Sequence, residues 1–376
     1  MGSASIHFLK HPGLETGDGV CEMKFDASLR KAEREEPLGL EDVVALLQAE
    51  REEEAELFRV ADQYRRRYVG DEVHLRGLVE FSNWCARRCC YCGLGAPNRR
   101  LVRYRMSVEE TVQAACRAAD LGIRTVVLQS GEDPYFTVGR LVELVSAIKE
   151  RADVAITLSV GERPREEYRI LREAGADRYL LKHETADPEL YARLHRDMRY
   201  ERRLECLRDL REVGFQVGSG CIVGLPGQTV EMLARDILLL RDLDVDMAGI
   251  GPFLPHPDTP LGGFPAGSVR MTLKMVAVAR IVIRQAHIPA TTALATADPW
   301  GREKAFAAGA NVVMPNLTPL RYREHYSIYP NRRCLSEEAE QWLPALRSHL
   351  EASGKRIATG YGHSLKRRNG TVEASV

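Results

Sequence analysis

Residues 125–160 read TVVLQSGEDPYFTVGRLVELVSAIKERADVAITLSV. The segment contains a β-branched run at Thr125–Ser130, an amphipathic stretch at Val138–Glu150 and a second β-branched run at Ala155–Val160. Apolar residues that recur every three or four positions predict a helix, whereas short runs of Val, Ile and Thr predict strands. The segment therefore predicts a β-α-β unit with two parallel strands.

The same alternation extends over most of the chain. Further strands are predicted at Val73–Ser82, Arg178–His183, Gln216–Val223, Met247–Phe253, Ile288–Ala293 and Asn311–Pro315. Further helices are predicted at Val108–Asp120, Pro164–Ala174, Glu201–Val213, Thr229–Leu243, Met271–Arg284 and Gly301–Ala308. Eight strands that alternate with helices predict an α/β fold, a complete (β/α)8 TIM-type barrel. An open six-strand Rossmann sheet is the alternative, but no G-x-G-x-x-G motif follows the first strand.

The predicted barrel occupies residues 71–320 and has an extension at each end. Residues 1–26 show neither helical nor strand periodicity and predict a flexible arm. Residues 27–70 are charged and helical in pattern, and predict helices that pack outside the barrel. Residues 321–376 form a C-terminal extension.

The composition is that of a globular protein without a dominant charge. The 376 residues include 53 basic and 53 acidic side chains, so the formal net charge is zero. This balance argues against a nucleic-acid or membrane-surface binder. No apolar run reaches the roughly 18 residues of a membrane helix, and the first residues lack the apolar core of a secretory signal. We therefore expect a cytoplasmic protein.

Four of the nine cysteines fall within eight residues directly after the first predicted strand. Cys85, Cys89 and Cys92 have the spacing Cys-x3-Cys-x2-Cys, and thiolate ligands suit an iron–sulfur cluster or zinc. A structural zinc site needs four ligands, and no second pair follows. Three thiolates on a 4Fe–4S cluster leave one iron open for a substrate or cofactor. Cys90 is expected to point elsewhere, and a set of reduced structural thiols is the remaining alternative.

With Tyr91 before the last cysteine, this motif resembles the signature of radical S-adenosylmethionine (SAM) enzymes. In that superfamily the open iron chelates SAM, and one electron cleaves SAM to methionine and a 5′-deoxyadenosyl radical. Two later runs, Gln129–Pro134 and Gly220–Gly224, resemble the motifs that hold the methionine and adenine parts of SAM. The resemblance implies a radical SAM enzyme with one 4Fe–4S cluster per chain, held by Cys85, Cys89 and Cys92.

The same resemblance implies which side chains bind SAM. They are Tyr91, Ser130, Gly131, Glu132, Glu184, Arg203 and Ile222. The residues alone leave two alternatives open: Ser130–Pro134 could be a turn that caps the next helix, and Arg203 could be a solvated helix arginine.

Longer phrases resemble one branch of the superfamily, the HydE family of FeFe-hydrogenase maturases. They are Leu128–Tyr135, Ala176–Ala186, Val223–Thr229, Gly249–Phe253, Pro255–Pro260, Ile288–Ala293 and Met314–Asn316. This branch is similar to biotin synthase and methylornithine synthase. The resemblance implies substrate or anion binding by Gln129, Thr157, Arg178, Lys182, Met247, Thr291, Thr292, Met314, Tyr326 and Tyr329. Lys182 stands where an arginine is familiar, so bidentate anion recognition is lost there.

The resemblance also implies a small anionic iron complex with cysteine, carbon monoxide and cyanide as substrate. It implies HydG-like and HydF-like maturases as partners, a ferredoxin or flavodoxin as electron donor, and a monomer. Only Cys334 lies beyond the barrel, which argues against an accessory cluster. The alternatives are a radical SAM mutase that acts on an amino acid and a non-catalytic iron–sulfur scaffold.

Arg178 and Lys182 are four residues apart on one predicted strand. Side chains alternate along a strand, so both should lie on the same face. If that face is inward, we expect an anionic partner, because an unpaired buried charge is costly. The alternative is that both face the surrounding helices and pair with acids such as Glu173 or Asp209.

Overall fold

A computed structural model describes residues 18–333 and 338–366 of the chain. The strands are β1 (Glu72–Leu75), β2 (Gly77–Ser82), β3 (Thr125–Ser130), β4 (Ala155–Ser159), β5 (Arg178–Leu180), β6 (Gln216–Val223), β7 (Met247–Pro252), β8 (Val312–Val313) and β9 (Arg356–Ile357). The helices are α1 (Asp18–Glu33), α2 (Leu40–Leu47), α3 (Glu52–Tyr68), α4 (Val108–Asp120), α5 (Val138–Arg151), α6 (Arg165–Glu173), α7 (Pro188–Leu194), α8 (Tyr200–Glu212), α9 (Val230–Asp242), α10 (Val269–Val282), α11 (Thr292–Ala297), α12 (Gly301–Ala307), α13 (Leu320–Arg323) and α14 (Ala339–Ala352).

The strands β2 to β7 form one parallel sheet in the order of the chain. Residues 287–289 take the next position, where His287 bridges to β7 and Pro289 bridges to β8. β8 pairs in parallel with β1, and β1 is separated from β2 only by Arg76. The strand order therefore returns to its start, and the predicted barrel is confirmed.

Two predicted strands differ from the structure. The stretch Ile288–Ala293 forms only isolated bridges, and its end belongs to α11. Pro289 has no N–H to donate to a ladder, which limits regular pairing there. The first predicted strand is divided at Arg76 into β1 and β2.

The N-terminal helices pack on the outside of the barrel. α1 begins at Asp18, inside the segment predicted as an arm, while residues 1–17 lie outside the described residues. Phe25, Leu29 and Ala32 are buried and recur at helical spacing, which explains why this segment is a helix. The helices α2 and α3 contact α10 on the barrel wall. No helix within residues 18–333 and 338–366 combines the length and apolar character needed to cross a membrane.

The C-terminal extension covers the N-terminal ends of the barrel strands. β9 pairs with β1, and the chain then continues below the barrel. The main-chain carbonyl of Tyr361 accepts hydrogen bonds from Thr125 Oγ1 at 2.7 Å and from Arg178 at 2.6 Å. His287 Nε2 lies 3.0 Å from the carbonyl oxygen of His363. We call this region, made of His74, Arg76, Arg178, His287 and His363, the barrel floor.

Candidate active site

The loop after β2, residues 83–98, carries the cysteine motif at the C-terminal end of the barrel. One side chain, Arg103, donates hydrogen bonds to four of its main-chain carbonyls at 2.6–3.2 Å. A guanidinium group has five N–H donors in a fixed plane, so it can hold several carbonyls at once. Arg103 therefore fixes the loop conformation, a role that the sequence motif did not identify.

The three thiols of the motif share one environment. Burial raises the pKa of Cys85, and burial with the neighbouring thiols raises the pKa of Cys89 well above its usual value. The same causes raise the pKa of Cys92 to about 12. Among the described residues no three ligand side chains converge on a single metal ion. In a 4Fe–4S cluster each thiolate binds a different iron, and the irons supply the positive charge that stabilises thiolates in a buried environment. The three cysteines therefore fit as ligands of such a cluster.

Cys90 lies apart from the other three thiols. Its side chain is 2% exposed and packs with Leu190 and Leu261 in a small apolar cluster. Its Sγ lies 3.4 Å from the carbonyl oxygen of Arg193. Cys90 is therefore a core residue where the cysteine loop packs against α7.

The loop after β3 packs directly on the cysteine loop. A Cβ at Gly131 would lie 2.5 Å from Cys85 Cβ, so only glycine permits this approach. Ser130 Oγ donates to the Gly131 carbonyl at 2.7 Å. Glu132 follows, and its Oε2 accepts from Arg87 Nε at 2.5 Å. Burial raises the pKa of Glu132, although Arg87 opposes the shift.

Glu132 is also held by the loop after β4. Its Oε1 accepts from the main-chain N–H of Glu162 at 3.1 Å. Gly161 adopts φ +82°, and a Cβ there would lie 1.9 Å from Glu132 Cγ. Neither Gly161 nor Glu162 was among the residues that the resemblance implied for SAM or substrate binding. The Gly-Glu pair at a strand end was the only sequence signal available.

Arg203 lies inside the site on α8. It is 6% exposed, and its Nε donates to Glu162 Oε1 at 2.7 Å. It also donates to the carbonyl oxygen of Lys182. Burial alone would lower the pKa of Arg203, but Tyr191 and Glu162 raise it overall. The alternative interpretation as a solvated helix arginine is therefore wrong.

Glu184 follows β5 and has φ +66°, which is uncommon for a residue with a side chain. Its Oε2 lies 3.0 Å from Lys182 Nζ, yet the alignment is not that of a hydrogen bond, and this buried oxygen has no hydrogen-bond donor among the described residues. Burial would raise the pKa of Glu184, but Lys182 and His195 outweigh it and the pKa is lowered. The oxygen is available to a ligand hydroxyl.

An apolar wall lies beside these charges. Tyr91 and Ile222 both pack against the small apolar cluster that contains Cys90. Tyr91 Oη lies 3.0 Å from His195 Nε2, which fixes the ring next to the cysteine loop. His195 was not predicted as a site residue.

The predicted substrate residues fall into two groups. At the upper end, Gln129 Nε2 donates to Tyr326 Oη at 3.1 Å, and Thr291 Oγ1 would lie 3.2 Å from a Cβ at Gly251. The upper group also contains Thr292 in the first turn of α11, the partly buried Met314 after β8, and Tyr329, whose ring centroid lies 6.0 Å from the guanidinium of Arg332.

The second group lies at the barrel floor. Arg178 pairs in register with Thr157 and is fully buried. Met247 begins β7, and its Sδ lies 2.5 Å from Arg76 Nη1. Gln129 lies four positions after Thr125 on β3, a distance of about 13 Å at roughly 3.3 Å per residue, and it is Thr125 that contacts Arg178. The structure therefore does not bring all the predicted substrate residues together.

Arg178 and Lys182 both face the barrel interior, so the prediction that they share a face is confirmed. A Cβ at Gly249, two strands away, would lie 3.7 Å from Lys182 Cε. Arg178 donates to Thr125, Gln216 and the C-terminal extension, and neither cation pairs with Glu173 or Asp209. The alternative that they face the helices is wrong. The two cations lie at different heights in the barrel, with Arg178 at the barrel floor and Lys182 beside Glu184.

Comparison with known proteins gives these residues a context. The model of the radical SAM superfamily matches residues 79–240, which include the cysteine loop and the strands β3 to β6. The chain is similar to the [FeFe] hydrogenase maturase subunit HydE of Thermotoga maritima, with 50% identity over 81% of this chain and 88% of that protein.

At lower identity the chain is also similar to methylornithine synthases. A 3-methylornithine synthase of Methanosarcina acetivorans is 34% identical over 85% of this chain and 90% of its own length. The crystal structure of a methylornithine synthase superposes with a TM-score of 0.78 and 29% identity, covering 88% of this chain and 97% of that one.

Proposed function

We propose that this chain, which belongs to the HydE family of the radical SAM superfamily, is a maturase of FeFe-hydrogenase that cleaves SAM reductively. One observation carries the proposal: the 50% identity to a HydE protein extends across 81% of the chain. The arrangement of the three cluster thiols beside Glu132 and Arg203 supports it.

Radical SAM proteins use a 4Fe–4S cluster and SAM. Cys85, Cys89 and Cys92 would hold the cluster, and we propose one cluster per chain. Cys334 lies outside the described residues, and it has no partner cysteine beyond the barrel to support a second cluster. When bound, the two cofactors supply a 5′-deoxyadenosyl radical, which is the difficult part of the chemistry.

The residues around the thiols would bind and orient SAM. Glu132 offers a buried carboxylate to the methionine ammonium, while Arg203 offers a guanidinium to its carboxylate. Glu184, whose carboxylate also pairs with Lys182, would accept from ribose hydroxyls, and Tyr91 and Ile222 supply an apolar surface for the adenine. Glu132 and Arg203 are linked through Glu162, and Arg203 and Glu184 are linked through Lys182, so these three charged groups are positioned before a ligand binds.

The substrate would be a small anionic iron complex that carries cysteine, carbon monoxide and cyanide. Gln129, Thr291, Thr292 and Tyr326 would supply hydrogen-bond donors at the upper end of the barrel, with Met314 and Tyr329 as further lining. Arg178, Thr157 and Met247 would bind an anion deeper in the barrel. The protein would act as a cytoplasmic monomer with HydG-like and HydF-like maturases.

The deciding experiment supplies the purified chain, with its cluster reconstituted, to a lysate that lacks only its own HydE. Apo-hydrogenase should gain hydrogen-evolving activity, and 5′-deoxyadenosine should accumulate. Production of 5′-deoxyadenosine without activation would exclude the maturase role.

The similarity to methylornithine synthase makes an amino-acid mutase the second candidate. Incubation with SAM and lysine tests it, because a mutase would convert lysine to methylornithine. A scaffold without catalysis would give no 5′-deoxyadenosine in either assay.

A further inference from the structure

A depression in the protein surface opens over the cysteine loop. Arg88 and Arg196 line its rim, and Cys89 and Cys92 contribute to its wall. Its volume of about 130 Å³ is well below the roughly 300 Å³ of the smallest typical ligand pockets. The depression is therefore an approach to the cluster thiols and not a second small-molecule site.

Two exposed arginines, Arg88 and Arg196, line this opening. A third exposed arginine, Arg193, lines an adjoining depression together with Arg196. None of the three guanidinium groups pairs with a carboxylate in the part of the chain that the structure describes. The nearby Arg100, in contrast, pairs with Asp258 at 2.9 Å. The acids nearby are Asp258, which is paired with Arg100, and the exposed Asp197, so the three arginines leave an excess of positive charge at this opening.

The arginines hold fixed positions relative to the thiols. The main-chain N–H of Cys90 donates to the carbonyl of Leu194 at 2.9 Å, and Cys89 forms an antiparallel bridge with His195. Asp197, in the same segment, accepts from the main-chain N–H of Arg88 at 3.2 Å. The backbone of the segment that carries Arg193 and Arg196 is therefore tied to the cysteine loop by this bridge and by Asp197.

We propose that Arg88, Arg193 and Arg196 form the docking face for a small acidic protein that delivers one electron to the cluster. The proposal rests on the proposed function, which consumes one electron for each SAM cleaved. The carrier is oxidised by one electron and the cluster is reduced by one, with no atom transferred. Complementary charges accelerate such encounters, and electron-transfer contacts are small and transient.

The first test measures binding of the full chain, loaded with its cluster, to oxidised flavodoxin, an acidic carrier. The double variant Arg193→Glu/Arg196→Glu should bind at least about tenfold more weakly at low salt, because two attractive charges become repulsive. Arg88 is left unchanged, since it adjoins a cluster ligand. Arg347→Glu, on the exposed face of α14, is the matched control. An unchanged Kd in the double variant, or equal binding of the basic carrier cytochrome c, overturns the proposal.

The second test separates docking from chemistry. SAM cleavage is driven either by reduced flavodoxin or by dithionite, which needs no docking face. We expect the double variant to show a raised KM for flavodoxin and an unaltered rate with dithionite, and wild-type KM to rise with salt. An equal loss of SAM cleavage with both reductants overturns the docking role. Impaired hydrogenase maturation with normal flavodoxin kinetics also overturns it, because that result assigns the face to another maturase. No cleavage with dithionite in the native chain would refute the proposed function itself, while the binding test still decides docking.

Discussion

Gly161 lies directly against the carboxylate side chain of Glu132, and the space between them excludes even a methyl group. The two residues follow neighbouring strands, β4 and β3, and a Cβ at Gly161 would come within 1.9 Å of Glu132 Cγ. The positive φ of +82° at Gly161 aims the next N–H, that of Glu162, at the same carboxylate. One backbone conformation therefore both makes room for Glu132 and holds it.

Replacement of Gly161 by Ala should weaken SAM binding. A left-handed φ costs about 1–2 kcal/mol for a residue with a Cβ, and the methyl group would displace Glu132. Since about 1.4 kcal/mol is tenfold in affinity, we expect SAM to bind at least about tenfold more weakly. Titration of the cluster-loaded protein with SAM measures this effect. Gly139→Ala, at an exposed helix position with open space around it, should leave the affinity unchanged.

The cysteines of the motif should separate into two classes. Cys85→Ala, Cys89→Ala and Cys92→Ala should each prevent cluster assembly, whereas Cys90→Ala should retain about four irons per chain. Cys90→Ala removes a buried side chain from the small apolar cluster, so a modest loss of thermal stability is expected instead. Iron analysis and the visible absorbance of the reconstituted proteins measure both. Retention of the cluster in Cys89→Ala would contradict the ligand assignment, and about eight irons in the native chain would reveal a second cluster.

Loss of Lys182 should change the pH dependence of SAM binding. Lys182 is the main reason why the pKa of Glu184 is lowered against the effect of burial. In Lys182→Met the pKa of Glu184 should rise. On acidification the Glu184 carboxylate should therefore become protonated at a higher pH than in the native chain. SAM affinity measured from neutral to acidic pH should fall earlier in this variant, while Lys182→Arg should retain the native profile. Identical profiles for Lys182→Met and the native chain would remove Lys182 from the SAM site.

The barrel floor should make the protein sensitive to mild acid. Burial, reinforced by Arg76 and Arg178, lowers the pKa of His74 to about 4, and burial lowers the pKa of His287 well below its usual value. The unfolded chain binds protons at these histidines near pH 6.5, whereas the folded chain does not. The free energy of unfolding should therefore be fully retained above pH 6.5 and decrease as the pH falls towards 4.

Denaturant unfolding at a series of pH values measures this dependence. His74→Gln should show a shallower slope between pH 6.5 and 4, because one histidine no longer takes up a proton on unfolding. His349→Gln changes an exposed histidine on α14 and should keep the native slope. Equal slopes in all three proteins would show that the floor histidines do not govern acid sensitivity.

Local patterns in the sequence predicted most of the barrel and identified three cysteines as candidate cluster ligands. The helix at Val108–Asp120 has the predicted bounds, because its apolar spacing and the capping Ser107 are contained within the segment itself. The spacing of Cys85, Cys89 and Cys92 is likewise a property of one short loop. Both kinds of signal need no knowledge of what lies elsewhere in the fold.

The tertiary structure decided which loops meet. Glu162 has no motif of its own, and it becomes important because the pairing of β3 with β4 and the packing of α8 bring it between Glu132 and Arg203. The C-terminal extension could not be placed under the barrel from its sequence. It contacts Arg178 through the carbonyl of Tyr361, which any residue carries, and through the ring of His363, which belongs to no motif. Periodicity and motif spacing fix what is local, whereas contacts between distant segments depend on the closed barrel that holds them together.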